Sequence, residues 1–215
     1  MWVVDVRAYG QRVPQTARPG PLVYVRLHWE VELSTLNTPA GAALRYGVKP
    51  RQAAPELTVE LLSGGTWRLA ERRPATFTLI VFYRGLHCPV CRAQLSELNR
   101  RFDELTKRGL DVLAVSGDPV ERARQALQEW KLDQLPLGYG LTEENWRAWG
   151  LFVSTGIKAD EPEHFNEPGM FLIKPDGSVF YEALTSMPWG RPRLDDVLGG
   201  IDFVVAKDYP ARGEA

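Results

Sequence analysis

The chain has 215 residues, 44% of them hydrophobic, enough to bury one substantial core with length left over for an appendage. Its formal net charge is −1 with both signs interspersed, which excludes an electrostatic footprint for nucleic acid or an anionic membrane. Two cysteines cannot scaffold a domain of this size, no apolar run reaches bilayer length, and Asp5 and Arg7 interrupt any secretory core, so a cytoplasmic protein is expected.

Residues 1–50 read as a β-rich N-terminal extension. Val25, Leu27, Trp29, Val31 and Leu33 alternate with Arg26, His28, Glu30 and Glu32, the pattern of a half-buried strand, and Trp2–Val6 is its candidate partner. The extension is either an oligomer contact, giving a homodimer, or a locally packed segment with no role of its own.

Residues 51–215 read as the main domain. Leu57–Leu62, Gly64-Gly65 and Thr66–Leu69 predict a β-hairpin. Phe77–Phe82 is a continuous apolar run rich in β-formers, as in a strand buried on both faces. Leu95, Leu98, Phe102 and Leu105 then form one helical stripe that Gly109 stops. Leu110–Val115 is a second buried strand, completing a βαβ unit. Asp118, Pro119 and Glu121 predict a helix start with Asp118 as N-cap and Glu121 in the capping box. Leu135-Pro136-Leu137 is a short strand whose proline favours a sheet edge. A short helix over 143–151 follows, then an irregular surface loop over 154–167. Met170–Lys174 and Ser178–Glu182 form a hairpin, and Leu194–Val205 is a last helix interrupted by Gly199-Gly200. This order describes an α/β fold, a central mixed β-sheet flanked by helices.

The only cysteines, Cys88 and Cys91, fall where the strand gives way to the helix. Pro89 suits the first helical position, which makes Cys88 the N-cap and puts Cys91 in the first turn. The unpaired amides and positive dipole end of a helix stabilise a thiolate there. Cys88 is then the more exposed nucleophile and Cys91 the buried partner that closes a disulfide. Arg84 and His87 are close enough in sequence to add positive charge that tunes Cys88, or are ordinary, partly exposed loop residues. Glu167 would bring a carboxylate near the sulfurs, either opposing thiolate formation or accepting a proton. Arg191 and Arg193 read as solvated surface residues, with a position near the site mouth as the alternative, and Trp146, Trp149 and Trp189 as core or rim aromatics. A zinc site built on Cys88, Cys91 and His87 or His164 lacks the second close pair that such sites use. No metal or cofactor is expected.

FYRGLHCPVC (82–91), AVSGD (114–118), EPGMFLIKPDG (167–177) and DYPARG (208–213) resemble the alkyl hydroperoxide reductase/thiol-specific antioxidant (peroxiredoxin-like, redoxin) family of the thioredoxin superfamily. The resemblance implies a thioredoxin-like fold and thiol redox chemistry on a peroxide or disulfide, with a thioredoxin- or glutathione-type thiol as electron donor. It also implies a cis-proline at Pro168, packed against the redox pair. The family's Pro-x-x-x-Thr-x-x-Cys pattern falls here on Arg84, Cys88 and Cys91, and its later arginine on Pro168. Two readings follow. In the first, Cys88 attacks and Cys91 resolves, reducing disulfides or oxidised thiols. In the alternative, Cys91 is the peroxidatic cysteine and Cys88 resolves.

Overall fold

The computed structural model describes residues 47–215; the strands expected in the N-terminal extension lie outside them. At Gly64-Gly65, both at positive φ (94° and 81°), the chain folds β1 (Thr58–Leu61) back on β2 (Thr66–Arg68) as expected. Strand β3 (Thr78–Phe82) is buried at every position. The single helix expected after it is two: α1 (Pro89–Arg100) and α2 (Phe102–Lys107), separated at Arg101, where φ is −107°. Leu95, Leu98 and Leu105 still reach the core from both pieces, and Gly109 (φ 74°) ends the segment.

Strand β4 (Asp111–Val115) returns parallel to β3 in the register Thr78↔Asp111 to Phe82↔Val115. The next helix, α3 (Val120–Trp130), is capped by Pro119 and has no side-chain cap bond. Asp118 is therefore not the N-cap; its carboxylate is used elsewhere, as described below. Strand β5 (Leu137–Tyr139) also differs from expectation, because it is interior, parallel to β4 and antiparallel to β1. Pro136 lies just before it and needs only its carbonyl, which accepts from Ala114 N at 3.0 Å.

Helix α4 (Glu143–Ala148) starts at a Thr142–Asn145 capping box. The segment expected to be irregular forms a small antiparallel sheet, β6 (Val153–Thr155) with β7 (His164–Asn166). Strands β8 (Gly169–Ile173) and β9 (Val179–Leu184) make the expected hairpin, and β8 runs antiparallel to β3. Helix α5 (Leu194–Lys207) is continuous through Gly199-Gly200, which face open space.

The large sheet has the order β2-β1-β5-β4-β3-β8-β9. Alternation along its central strands feeds two cores. Leu79, Val81, Val112, Ala114, Met170 and Leu172 meet the inner faces of α1, α3 and α5. Ile80, Phe82, Leu113, Val115, Phe171 and Ile173 meet Trp146, Trp149 and Leu151 on the other side. Trp149 packs edge-on to Phe171 at 4.9 Å and lies 5.2 Å from Phe82, so Trp146 and Trp149 are core residues as expected. Among the described residues no helix is long and apolar enough to cross a membrane.

Candidate active site

Both cysteines sit at the carboxyl end of β3, where the parallel pair β3–β4 opens toward the start of α1. Cys88 is the N-cap, with Pro89 at the first helical position. Its sulfur accepts a hydrogen bond from Cys91 N at 3.2 Å. The thiols are free, and Cys91 Sγ donates to Cys88 Sγ at 2.7 Å, longer than the roughly 2.0 Å of a disulfide bond. The expectation of a more exposed Cys88 is not met, since both residues are 0% exposed. Of the chain that follows β9, Arg191 reaches the two sulfurs.

The asymmetry between the sulfurs is electrostatic. The S–H donated by Cys91 lowers the Cys88 pKa to about 6, against the opposing effect of burial; the Cys91 amide and the Arg191 and Arg84 side chains help. Burial, then the hydrogen bond to Cys88 and the charge there, push Cys91 well above an ordinary thiol. The two shifts run in opposite directions and favour loss of the first proton of the pair from Cys88.

Sequence reasoning assigns Arg191 no role and allows it either a solvated surface or the site mouth. It points inward from the chain between β9 and α5. Its Nη2 is 3.1 Å from Cys91 Sγ and 3.8 Å from Cys88 Sγ, and its Nη1 donates to Gln94 Oε1. Gln94 is three residues beyond Cys91 on α1, so the helix itself brings the amide to the same face. Nothing local marks residue 191. The positive φ of Gly190 (81°) belongs to a turn that any surface loop could contain.

Arg84, His87 and Glu167 gather on the other flank. Arg84 N donates to Cys91 Sγ at 3.4 Å. The Arg84 side chain lies over Phe165 at 4.6 Å, with its Nε 3.1 Å from Glu167 Oε2. Glu167 is buried, and its Oε1 accepts from Ser154 Oγ at 2.6 Å. The carboxylate therefore faces Arg84 and Ser154. His87 stacks edge-on to Phe165 at 4.7 Å. Burial, and then Arg84, lower its pKa from the usual 6.5, which disfavours the charged form and so favours the plain loop histidine over the charge that tunes Cys88. Pro168 is buried at the start of β8, and its carbonyl accepts from Thr185 N at 3.1 Å. No peptide bond among the described residues is cis, so the cis-proline implied by the resemblance is not present. Arg193 is exposed, as expected.

Asp118 is the buried support of the loop. It is 2% exposed, accepts from Leu86 N at 2.7 Å, and pairs with Arg122 Nε at 3.1 Å. Gly85 passes directly over it with φ 125°, where a Cβ would come within 2.8 Å of both carboxylate oxygens. Gly85→Ala therefore combines backbone strain with a contact against a fixed group. It is expected to cost roughly 2 kcal/mol in urea unfolding, and a loss under ~0.5 kcal/mol would contradict that.

The zinc alternative finds no ligand set. Among the described residues no three His, Cys, Asp or Glu side chains are gathered for a metal. His87 is committed to Phe165, and His164 lies 3.8 Å from Glu143.

A buried dithiol at the start of a helix, at the carboxyl end of a central strand in a mixed sheet, defines a thioredoxin-fold thiol oxidoreductase. Residues 50–182, more than half of the sequence, match the AhpC/TSA family model, and the chain belongs to that family. A protein of Trieres chinensis assigned by name to the peroxiredoxins, ycf42, is 26% identical over 148 residues, 65% of this chain and 69% of its own length. Two solved structures share the fold. AhpC of Mycobacterium tuberculosis has a TM-score of 0.61 at 18% identity, covering 76% of this chain and 96% of its own. The reduced 2-Cys peroxiredoxin of Plasmodium vivax has a TM-score of 0.62 at 18% identity, covering 74% and 83%.

Proposed function

We propose that this enzyme is a thiol peroxidase that works through its own Cys88–Cys91 pair, with Cys88 attacking and Cys91 resolving. The single observation behind this is the contact between the two sulfurs, where Cys91 Sγ donates to Cys88 Sγ at 2.7 Å and so favours the thiolate on Cys88. The Cys88 thiolate attacks one oxygen of a hydroperoxide, breaking the O–O bond and becoming a sulfenic acid. The departing alkoxide or hydroxide takes the proton from Cys91. The Cys91 thiolate so formed attacks the Cys88 sulfur, closes the 88–91 disulfide and expels hydroxide, which takes a proton from solvent and leaves as water. A thiol donor of the thioredoxin or glutathione type then returns two electrons and restores the dithiol. Arg191 provides a fixed cation beside the charge throughout the first step. Pro168 supports the site through the backbone, and Arg84 acts through its amide and side chain. The cytoplasm, where such donors are kept reduced, suits this chemistry.

A second reading has Cys91 attack first. It is favoured by the two donors directed at its sulfur, Arg84 N at 3.4 Å and Arg191 Nη2 at 3.1 Å. Rapid mixing of the reduced protein with hydrogen peroxide, an organic hydroperoxide and a small disulfide tests the substrate class. Loss of the two thiols should be much faster with a hydroperoxide. Disulfide as the fastest oxidant would return the enzyme to disulfide reduction. The pH dependence tests the nucleophile. Cys88 alkylation should reach half its maximum near pH 6 and level off above pH 7, because protonation below its pKa removes the thiolate. A midpoint above pH 8 would contradict the arrangement.

A further inference from the structure

Neither sulfur is open to solvent, as Cys88 and Cys91 are both 0% exposed. The side chain that touches both of them from outside α1 is Arg191. It is held by the sulfurs and by Gln94, and its Nε is buried with no hydrogen-bond partner. It belongs to the 185–193 connector between β9 and α5, which has little else to secure it. Thr185 N donates to the Pro168 carbonyl at 3.1 Å, and Thr185 Oγ1 to the Met187 carbonyl at 2.7 Å. Among the described residues, no backbone–backbone hydrogen bond involves residues 186–192. Met187 and Trp189 are 44% and 64% exposed, and Gly190 has open space around it. The connector is therefore fastened at its two ends and, between them, by one guanidinium.

We propose that the 185–193 connector is a redox-linked cap on the cysteine pair, latched by Arg191 between Gln94 and the thiolate. The proposal rests on the reading that the pair cycles between a thiolate–thiol and a disulfide. Closing the disulfide removes two electrons and the one remaining proton from the pair, the electrons going to the O–O bond of the hydroperoxide. The thiolate charge is then gone, whereas a guanidinium keeps its charge at any physiological pH. Arg191 would be left with only a neutral amide oxygen in a partly buried position, which penalises an unpaired charge. The guanidinium moves into water and takes Trp189 and Gly190 with it. The disulfide is thereby uncovered for its thiol donor, and reduction restores the charge and closes the cap.

Limited chymotryptic digestion of the full-length protein tests this, because cleavage after the exposed Trp189 needs the connector free of its latch. One sample is held reduced with a phosphine, and the other is oxidised with diamide, which forms the disulfide whether or not the enzyme is a peroxidase. Intact mass confirms the loss of two hydrogens. Cleavage after Trp189 should be about tenfold faster in the oxidised protein. In Arg191→Met the reduced protein should already be cut at the oxidised rate, and Arg191→Lys should recover part of the protection. A disulfide accompanied by unchanged cleavage at Trp189 overturns the cap alone. Failure of diamide to link Cys88 to Cys91 overturns the cap together with the two-cysteine reading.

Discussion

Cys88→Ser is expected to abolish hydroperoxide turnover, with a fall of at least about 10³-fold in the second-order rate. A serine hydroxyl at the same N-cap still accepts from Cys91 N, so the helix start should survive the change. What disappears is an anion at neutral pH. The remaining Cys91 is pushed up by burial, and with Cys88 gone it loses its neighbouring charge but stays under the protein surface. Cys91→Ser is expected to behave differently. A stoichiometric burst of peroxide consumption should persist, ending in a sulfenic acid on Cys88 that a carbon-acid probe traps, and turnover with a thiol donor should stop. Comparison with Cys91→Ala isolates the proton donor. Serine retains a hydroxyl that can donate to Cys88, while alanine removes the largest influence holding the Cys88 pKa near 6. The alkylation midpoint should therefore rise more in Cys91→Ala than in Cys91→Ser. If Cys88→Ser instead forms a sulfenic acid on Cys91 at the wild-type rate, the first attack belongs to Cys91.

The parts of this architecture visible in the sequence are those with short-range causes. A continuous run of β-formers gave β3, and Cys-Pro at its end gave the N-cap and first turn of α1. The paired glycines at 64 and 65 gave the first hairpin. What was not visible depends on partners far along the chain. Pro136 argues for an edge strand only if the missing N–H matters, and in the fold it precedes the ladder, so β5 is interior. The 154–167 segment is polar, yet it pairs with itself as β6 and β7, burying Phe165 and Asn166. Asp118 has the local signature of an N-cap, but the Leu86 amide and the Arg122 guanidinium claim its oxygens. Arg191 is the extreme case. It reaches Cys91 across 100 residues, and no periodicity or turn signal in the sequence carries such a contact. The family pattern likewise directs attention to position 168 for an arginine, whereas the guanidinium arrives from another loop.

Asp118→Ala should produce the largest stability change outside the hydrophobic cores. The carboxylate is 2% exposed and bonds at once to the 84–87 loop, through Leu86 N, and to the first turn of α3, through Arg122. Removing it leaves a loop amide without its acceptor and a cation without its partner. Breaking a buried pair on one side typically costs about 3–5 kcal/mol. Because Arg122 remains 31% exposed and can turn toward water, the lower end is expected, roughly 3 kcal/mol. For a chain of this length that corresponds to a fall in Tm of about 6–12 °C. Arg122→Met should cost less, since Leu86 N still satisfies the carboxylate in part, and the double variant should cost less than the sum of the two. The effect should also reach the chemistry. The loop freed at Leu86 carries Arg84, whose amide donates to Cys91 Sγ, and its side chain helps hold the Cys88 thiolate. Asp118→Ala should therefore move the Cys88 alkylation midpoint upward even at temperatures where the protein is fully folded. Urea unfolding and the alkylation profile, measured on the same preparation, check the two halves separately. A stability loss below ~1 kcal/mol would mean that the loop is held by other contacts. An unchanged midpoint would mean that Asp118 supports the fold without governing the geometry at the sulfurs.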